Sequence, residues 1–472
     1  MLLNGIFVII PVIGAVICAF LNKQKQAPGL LANIILLFGF LISLHIFFMS
    51  LGQEWFFGED VLSAFMLIMI YMVALAVAFF AVFAASTKRR GSYFAILLVI
   101  TAGMAGVVCS QDLFTLYVFL EVVAVASFVL IAFYNREKST EGAIRYFYLS
   151  SIASAFILFA ISLLLLYTGD TTYEGLVKTI LQTQGNSAPL NIILGTLAVA
   201  LMIKTGLFPF HSWTPDAYES ASSPISALLA GIVTKVAGTY ALVLVCMLLS
   251  IVNFGIEHNT VGKAIMWFGL GSIVFGALAA QEQKDFKRML AYSSISQMGY
   301  ITIAAALATP LAMAGALFHI FNHATFKTLL FFCAGNVKKA TGTTAINEMR
   351  GLQEKMPYTS ATATIGMLAT AGLPPFSGFW SKLFIIAALW QAGFIGMSVT
   401  ALFASVLTLA YFLKLQRGMF FGSASKNIAN VKEQGMGFLI PCFALAFIII
   451  AVGIYFPFIY NNFLSPFIKV LQ

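Results

Sequence analysis

Charge is scarce in this chain. Asp, Glu, Lys and Arg make up 9% of 472 residues against 61% hydrophobic, and the mean hydropathy is +0.96. Soluble domains carry about 25% charged residues, so a water-soluble globular protein is excluded and an integral membrane protein remains. Cysteine is also sparse. Cys18, Cys109, Cys246, Cys333 and Cys442 stand singly in apolar runs, with no CxxC and no metal-ligand spacing. They read as small buried hydrophobes, which excludes an iron–sulfur cluster or a disulfide framework. Phosphate-cradling signatures are missing as well: neither GxxxxGK with Ser or Thr nor a strand-linked GxGxxG occurs. ATP, NAD, metal and other cofactors are therefore not expected, and the chain carries no redox centre of its own. Energy must come from an ion gradient or a partner protein. The net charge of +9 is no nucleic-acid footprint, because the basic residues lie in short loops between apolar runs.

Those apolar runs are what the chain has in abundance. Fourteen are long enough to cross a bilayer: 3–21, 29–50, 61–86, 91–109, 112–134, 141–167, 190–208, 223–251, 262–280, 290–307, 310–336, 357–393, 395–420 and 436–464. The first lacks a preceding basic segment, and Lys23 and Lys25 follow it, so it reads as a transmembrane helix rather than a removed signal peptide. The twelfth is too long for one straight helix and holds Pro374-Pro375, which predicts two half-helices with a break. Counting Lys and Arg in alternate loops puts 19 on one side and three (Lys178, Lys263, Lys469) on the other. The rich side is expected to be cytoplasmic, with both termini outside, in the inner (cytoplasmic) membrane.

An internal repeat is visible. Gly206-Leu207-Phe208-Pro209-Phe210 is echoed by Gly372-Leu373-Pro374-Pro375-Phe376, each followed by a tryptophan, Trp213 and Trp380. Downstream, Ser226–Ala230 is echoed by Thr400–Ala404. The units lie five spans apart, and an odd number inverts the second relative to the first. Inverted repeats with broken helices are an ion-transporter architecture, because exposed backbone is tolerated in a membrane only where it is buried or lines a cavity. The expected organisation is residues 1–90 (helices 1–3), 91–251 (first five-helix repeat), 262–420 (second, inverted) and 436–472 (C-terminal helix).

Ionisable residues inside the runs are the candidate site. A charge at mid-bilayer costs roughly 2.5–3.5 kcal/mol on insertion scales. Lys204 precedes the Pro209 break and reads as a lysine that loads and releases a proton; the competing reading is snorkelling to the interface. Lys235 lies mid-span, where its competitor is a fixed ion pair. Glu121, about ten residues into its span, needs a cationic partner, and Lys204 is the candidate; a static salt bridge is the alternative. His319, His323 and Lys327 are spaced i, i+4, i+8 on one helix face and suit a proton relay, against satisfied core histidines. Two histidines one turn apart cannot be trans axial ligands of one haem. Lys382 follows the second break and reads as an exit site. Arg145 and Asp216 at the basic side, and Lys414 near a span end, are possible accessory residues. Asp216 and Glu219 read as an ordinary solvated loop or as proton collectors.

The motifs then match a known family. Lys204-Thr-Gly-Leu-Phe-Pro-Phe-His-Ser-Trp-Thr-Pro-Asp-Ala217, Ser223-Pro-Ile-Ser-Ala-Leu-Leu-Ala-Gly-Ile-Val-Thr-Lys235, Asp285–Tyr300, His319-Ile-Phe-Asn-His-Ala-Thr-Phe-Lys327 and Gly372-Leu-Pro-Pro-Phe-Ser-Gly-Phe-Trp-Ser-Lys382 follow in order. The chain resembles the antiporter-like subunits shared by respiratory complex I, group 4 membrane-bound hydrogenases and multi-subunit sodium/proton antiporters. The resemblance implies an all-α fold of 14 transmembrane helices with two inverted five-helix units, spans 4–8 and 9–13. It implies a proton-transfer axis of Glu121, Lys204, Lys235, His319, His323, Lys327 and Lys382 along the midplane. Partners would be further membrane subunits, small hydrophobic ones included, and a redox module; the leaning is towards a redox-driven complex, with a sodium/proton antiporter second and a stand-alone secondary transporter third. Lysine at position 382, and an end soon after the fourteenth run, point to the shorter proton-channel subunits rather than the longest member with its lateral helix.

Overall fold

Lipid offers no partner to a backbone N–H or C=O, so an apolar run of this length must fold as a helix. The computed structural model describes residues 2–22, 24–50, 61–85, 89–182, 188–253, 255–422, 428 and 430–464. In it every run is helical: α1 Leu2–Phe20, α2 Ala27–Ser50, α3 Val61–Ala84, α4 Arg90–Cys109, α5 Leu113–Ile131, α6 Glu137–Thr168, α7 Tyr173–Gln182, α8 Ala188–Thr205 and α9 Trp213–Ser220. Then follow α10 Ser223–Val252, α11 Thr260–Glu282, α12 Phe286–Leu307, α13 Pro310–Thr341, α14 Pro357–Ala371 and α15 Ser377–Gln391. Two more long helices follow, α16 Ile395–Phe420 and α17 Met436–Ile454, and short helical segments lie at Leu352–Lys355, Phe456–Ile459 and Tyr460–Leu464. Ten helices among the described residues are long and apolar enough to cross a membrane. Lys23, Lys88, Lys426 and Lys469, used above for orientation, lie outside the described residues.

Two helices of eight residues or more were not expected. α7 is short and lies between α6 and α8. α9 takes up Asp216 and Glu219, which the sequence suggested as loop; they stand on a helix after the first break. The run at 357–393 divides as expected, into α14 and α15 around Gly372–Phe376. The run at 223–251 is not a uniform α-helix: Leu229–Val233 and Lys235–Tyr240 are π-helical turns on either side of Thr234.

Burial orders the helices. In α10, 94% of the apolar window is buried inside the protein, against 28% in α2 and 39% in α6, which makes α10 central and α2 and α6 peripheral. α13 is buried almost continuously from Ala312 to Val337. Beside these, α11 and α12 approach closely through glycine, since a Cβ on Gly299 would come within 2.4 Å of the Gly269 carbonyl.

Local geometry is built twice. Asp112 and Asp285 cap the starts of α5 and α12, accepting from the Thr115 and Arg288 amides at 2.8 and 3.0 Å. Each forms an isolated bridge with the loop after a 32-residue helix, Asp112 with Thr172 beyond α6 and Asp285 with Ala345 beyond α13. Both long helices end on a left-handed glycine, Gly169 and Gly342. The two breaks match too: Gly206 and Gly372 have φ of 74° and 84°, followed by cis Phe208-Pro209 and cis Pro374-Pro375.

Candidate functional site

The end of α8 places Lys204 inside the protein, because the chain leaves the helix one residue later and turns at Gly206. The Trp213 indole donates to the Ile203 carbonyl at 3.1 Å and stacks on Tyr146 at 4.3 Å, which fixes this end against α6. The Lys204 ammonium reaches Glu121 Oε1 on α5 at 3.1 Å and the Ser150 hydroxyl on α6 at 3.3 Å. The lysine side chain is 3% exposed and the carboxylate 34%, so the pair joins the core to an outer flank. An ammonium this buried needs such a partner, since an unpaired buried charge costs several kcal/mol, of the order of 3–5. Snorkelling is ruled out by the burial. Ser154 donates to the same Glu121 oxygen at 2.5 Å.

The remaining candidates converge around α10, α13 and α15. Lys235 starts the second π-helical turn, fully buried, with its ammonium on the Ala230 carbonyl and 3.3 Å from the Thr234 hydroxyl. A Cβ on Gly238 would strike the backbone of Thr205 at 2.6 Å; this contact brings α10 one turn beyond Lys235 against the neighbour of Lys204. On α13, His319, His323 and Lys327 are all fully buried. The His319 Nδ1 lies 2.8 Å from the Ser381 hydroxyl, one residue before Lys382, and Asn322 donates to that hydroxyl at 3.1 Å. The two imidazoles are 6.5 Å apart, centre to centre. Lys327 donates to the Leu290 carbonyl of α12 at 3.0 Å. Lys382 points back at the end of α14, 3.4 Å from the Ala371 carbonyl and 4.8 Å above the Tyr300 ring.

The seven residues thus fall into two groups. Lys204 and Glu121 form an ion pair. Lys235, His319, His323, Lys327 and Lys382 form a second, basic group: the two imidazoles are 6.5 Å apart, His319 meets Ser381 beside Lys382, and the helix of Lys235 packs on that of Lys327 through Gly231 and Thr328. Among the described residues, Lys204 alone of the four mid-span lysines has a carboxylate within ion-pair distance. Carbonyls, hydroxyls and an aromatic face support the others. Lys204 lies before its break and Lys382 after the other, so the two are not equivalent in register: aligning Gly206 with Gly372 sets Lys204 beside Thr370 and Lys382 beside Asp216.

The accessory residues separate by depth. Arg145 contacts Glu141 and Asp216, both at 2.5 Å. Arg288 reaches Asp216 at 3.0 Å and Glu219 at 2.7 Å. This ladder is partly exposed and ties α6, α9 and α12 together. Lys414 is exposed, with its ammonium on the Gln281 carbonyl, outside both buried groups. Sequence reasoning missed Ser150, Ser154, Tyr300 and Lys287. Lys287 was counted as a loop charge, yet it is fully buried and donates to the Glu219 and Ala221 carbonyls at 2.9 and 2.6 Å. The i, i+4 spacing of Ser150 and Ser154 was the one signal available. Among the described residues, no group of three or more His, Cys, Asp or Glu could hold a metal ion.

Residues 110–408 match the family described as NADH:quinone oxidoreductase/Mrp antiporter, TM. The chain is 35% identical over 328 residues to an NADH-quinone oxidoreductase subunit N of Desulforudis audaxviator, covering 70% of this chain and 64% of that relative's length. It is 31% identical over 396 residues to an Na(+)/H(+) antiporter subunit of Alkalihalophilus pseudofirmus, covering 84% and 79%. A chain of the membrane-bound sulfane sulfur reductase, an archaeal respiratory membrane complex, superposes with a TM-score of 0.89 at 28% identity, over 99% of this chain and 97% of the other. With a family model spanning more than half its length, this multi-pass membrane protein belongs to the NADH:quinone oxidoreductase/Mrp antiporter transmembrane family.

Proposed function

We propose that the chain is the proton-translocating, antiporter-like subunit of a multi-subunit, redox-driven membrane complex. The observation that carries this reading is the buried Lys204–Glu121 pair, 3.1 Å long, beside a buried file of Lys235, Lys327, His323, His319 and Lys382. A change of state in a neighbouring subunit moves Glu121 toward or away from Lys204. With the pair closed, Lys204 holds its proton; opening releases it. Protons then step from Lys235 through Lys327, His323 and His319 to Lys382, or the reverse, since His319 is the member of the α13 series that meets Ser381 beside Lys382. The duplicated caps and breaks support two inverted five-helix units, residues 91–251 and 262–420, between 1–90 and 436–472, in a 14-span protein. The basic loops support the orientation with both termini outside the cytoplasmic membrane. Partners are other membrane subunits of the same complex, a redox module and lipid. The likeness to a respiratory membrane complex over nearly the whole chain favours the redox-driven assembly.

The comparable match to an Na(+)/H(+) antiporter subunit favours a second reading, a subunit of a multi-subunit sodium/proton antiporter. Purifying the intact complex from native membranes through a tag on this chain separates the two. Redox subunits in its mass spectrum support the first; small hydrophobic partners without a redox protein support the second. Lys204→Ala and Glu121→Ala are each expected to lower coupled proton flux at least about a hundredfold, the scale of losing a tuned proton carrier. Full flux in either variant refutes the transport reading.

A further inference from the structure

α6 and α13 are both uninterrupted helices of 32 residues that end on the same glycine cap. Beyond each cap the same turn follows: the Thr168 hydroxyl donates to the Asp170 carbonyl, and the Thr341 hydroxyl to the Thr343 carbonyl, at 2.7 and 3.0 Å. Counting back from those caps puts Ser154 in register with Lys327, Ser150 with His323, and Tyr146 with His319. On the partner helices, counted from Asp112 and Asp285, Glu121 is in register with Ser294. The two halves are therefore chemically complementary. One carries a carboxylate in the register where its helix partner carries hydroxyls, and the other a hydroxyl in the register where its helix partner carries a histidine and a lysine.

We propose that Ser154 and Ser150 are positioning residues that latch the Glu121–Lys204 pair in two states. The inference rests on the transport reading above. Ser154 has one hydroxyl proton and two acceptors within reach, Glu121 Oε1 at 2.5 Å and the Ser150 carbonyl at 2.8 Å. It satisfies one at a time. With the pair closed, its proton lies on the carboxylate oxygen that Lys204 also binds. When Glu121 withdraws, the proton swings to the Ser150 carbonyl, a back-bond that helical serines make readily. Lys204 then keeps the Ser150 hydroxyl, 3.3 Å away. In each state the Ser154 hydroxyl proton has an acceptor, so its switch runs without the desolvation penalty that an orphaned donor carries. Ser150 at 3% and Ser154 at 7% exposure are too buried for water to take over this role freely.

The test uses the intact complex in vesicles, with proton flux read by an internal pH-sensitive dye across external pH, and Lys204→Ala run alongside. Ser154→Ala is expected to lower flux roughly tenfold, the worth of one hydrogen bond to a charged group, and to move the pH of half-maximal flux by roughly half a unit or more. Ser154→Thr keeps the hydroxyl and is expected to retain flux within about twofold, since threonine makes the same back-bond. Ser154→Ala with wild-type flux and pH profile overturns the latch, as does Ser154→Thr as impaired as Ser154→Ala. If Lys204→Ala itself transports normally, the transport reading fails and the latch falls with it. A Lys204→Ala that no longer transports, beside an unaffected Ser154→Ala, removes the latch alone.

Discussion

Lys382 has, among the described residues, no carboxylate within ion-pair distance. Its support is one carbonyl and the face of Tyr300 at 4.8 Å, and a desolvated cation–π contact is worth about 2 kcal/mol. Tyr300→Phe keeps the ring while losing the hydroxyl bonds to the Ala401 carbonyl and Ser405. Tyr300→Ala removes both. Proton flux in vesicles is therefore expected to stay within about threefold for the first and to fall by more than about tenfold for the second, the fold-change that 1.4 kcal/mol represents. Equal losses would place the role in the hydroxyl instead. At this scale the sequence was informative for charged residues and poor for neutral ones. A lysine in an apolar run announces itself by its insertion cost, so Lys204, Lys235, Lys327 and Lys382 stood out, and Glu121 had an obvious need of a cation. A tyrosine or serine carries no such cost. Tyr300, Ser150 and Ser154 are ordinary residues of apolar helices until their neighbours are known. Lys287 was misread for a related reason: its position in a mixed-charge stretch gave no hint that two carbonyls from α9 and its end would enclose it.

Helices were legible from hydropathy because lipid allows little else, and both breaks from Gly and Pro. The π-helical turns of α10 were not, because they follow from what packs against the helix. A Cβ on Gly231 would meet the Thr328 hydroxyl at 2.2 Å, and one on Gly238 the Thr205 backbone, so close neighbours shape this stretch. α9 was unreadable as a helix from eight mostly polar residues. The break glycines make distinct predictions. Both hold positive φ, which costs a non-glycine residue about 1–2 kcal/mol. Gly206→Ala adds a Cβ 2.2 Å from the Thr214 hydroxyl, whereas Gly372→Ala adds one 2.9 Å from Cδ of Lys382. Both variants should melt at lower temperature. In assembled protein, Gly372→Ala should also displace the lysine and cut flux several-fold; a normal flux would show that Lys382 tolerates other positions. The loop after α6 carries a pH dependence. Thr172, through its backbone amide and hydroxyl, holds the Asp170 carboxyl below its ordinary value of 3.8. A depressed carboxyl contributes its stabilisation above that ordinary value and loses it as pH falls through the lower one. Exchange of the Thr172 amide, corrected for its intrinsic rate, should be level from pH 4 upward and quicken only in stronger acid. Quickening already at neutral pH would mean that another contact holds the turn.

Taken whole, the molecule has a central pair, α10 and α13, and a flank on which Glu121 is 34% exposed. That flank also bears Phe114, Val118, Val122 and Val125, each at least 37% exposed, so lipid or a neighbouring subunit covers it. On the basic side, the Arg145–Asp216–Arg288–Glu219 ladder crosses three helices. Asp216→Asn should lower the melting temperature modestly at low salt and by less at high salt, because partly exposed pairs are screened and worth about 0–1 kcal/mol each. A salt-independent loss would instead mark a dry contact.

Among the described residues, the four mid-span lysines have one carboxylate between them within ion-pair distance. Were all four charged at once, three would face the protein interior uncompensated, and Lys235, Lys327 and Lys382 would repel one another. Under the transport reading proposed above, the file would therefore never fill: it would act as an anticooperative queue, in which a charge arriving at one position evicts the charge ahead of it. Net positive charge would then move as displacement along the row, with no single proton needed to travel the whole distance in one turnover.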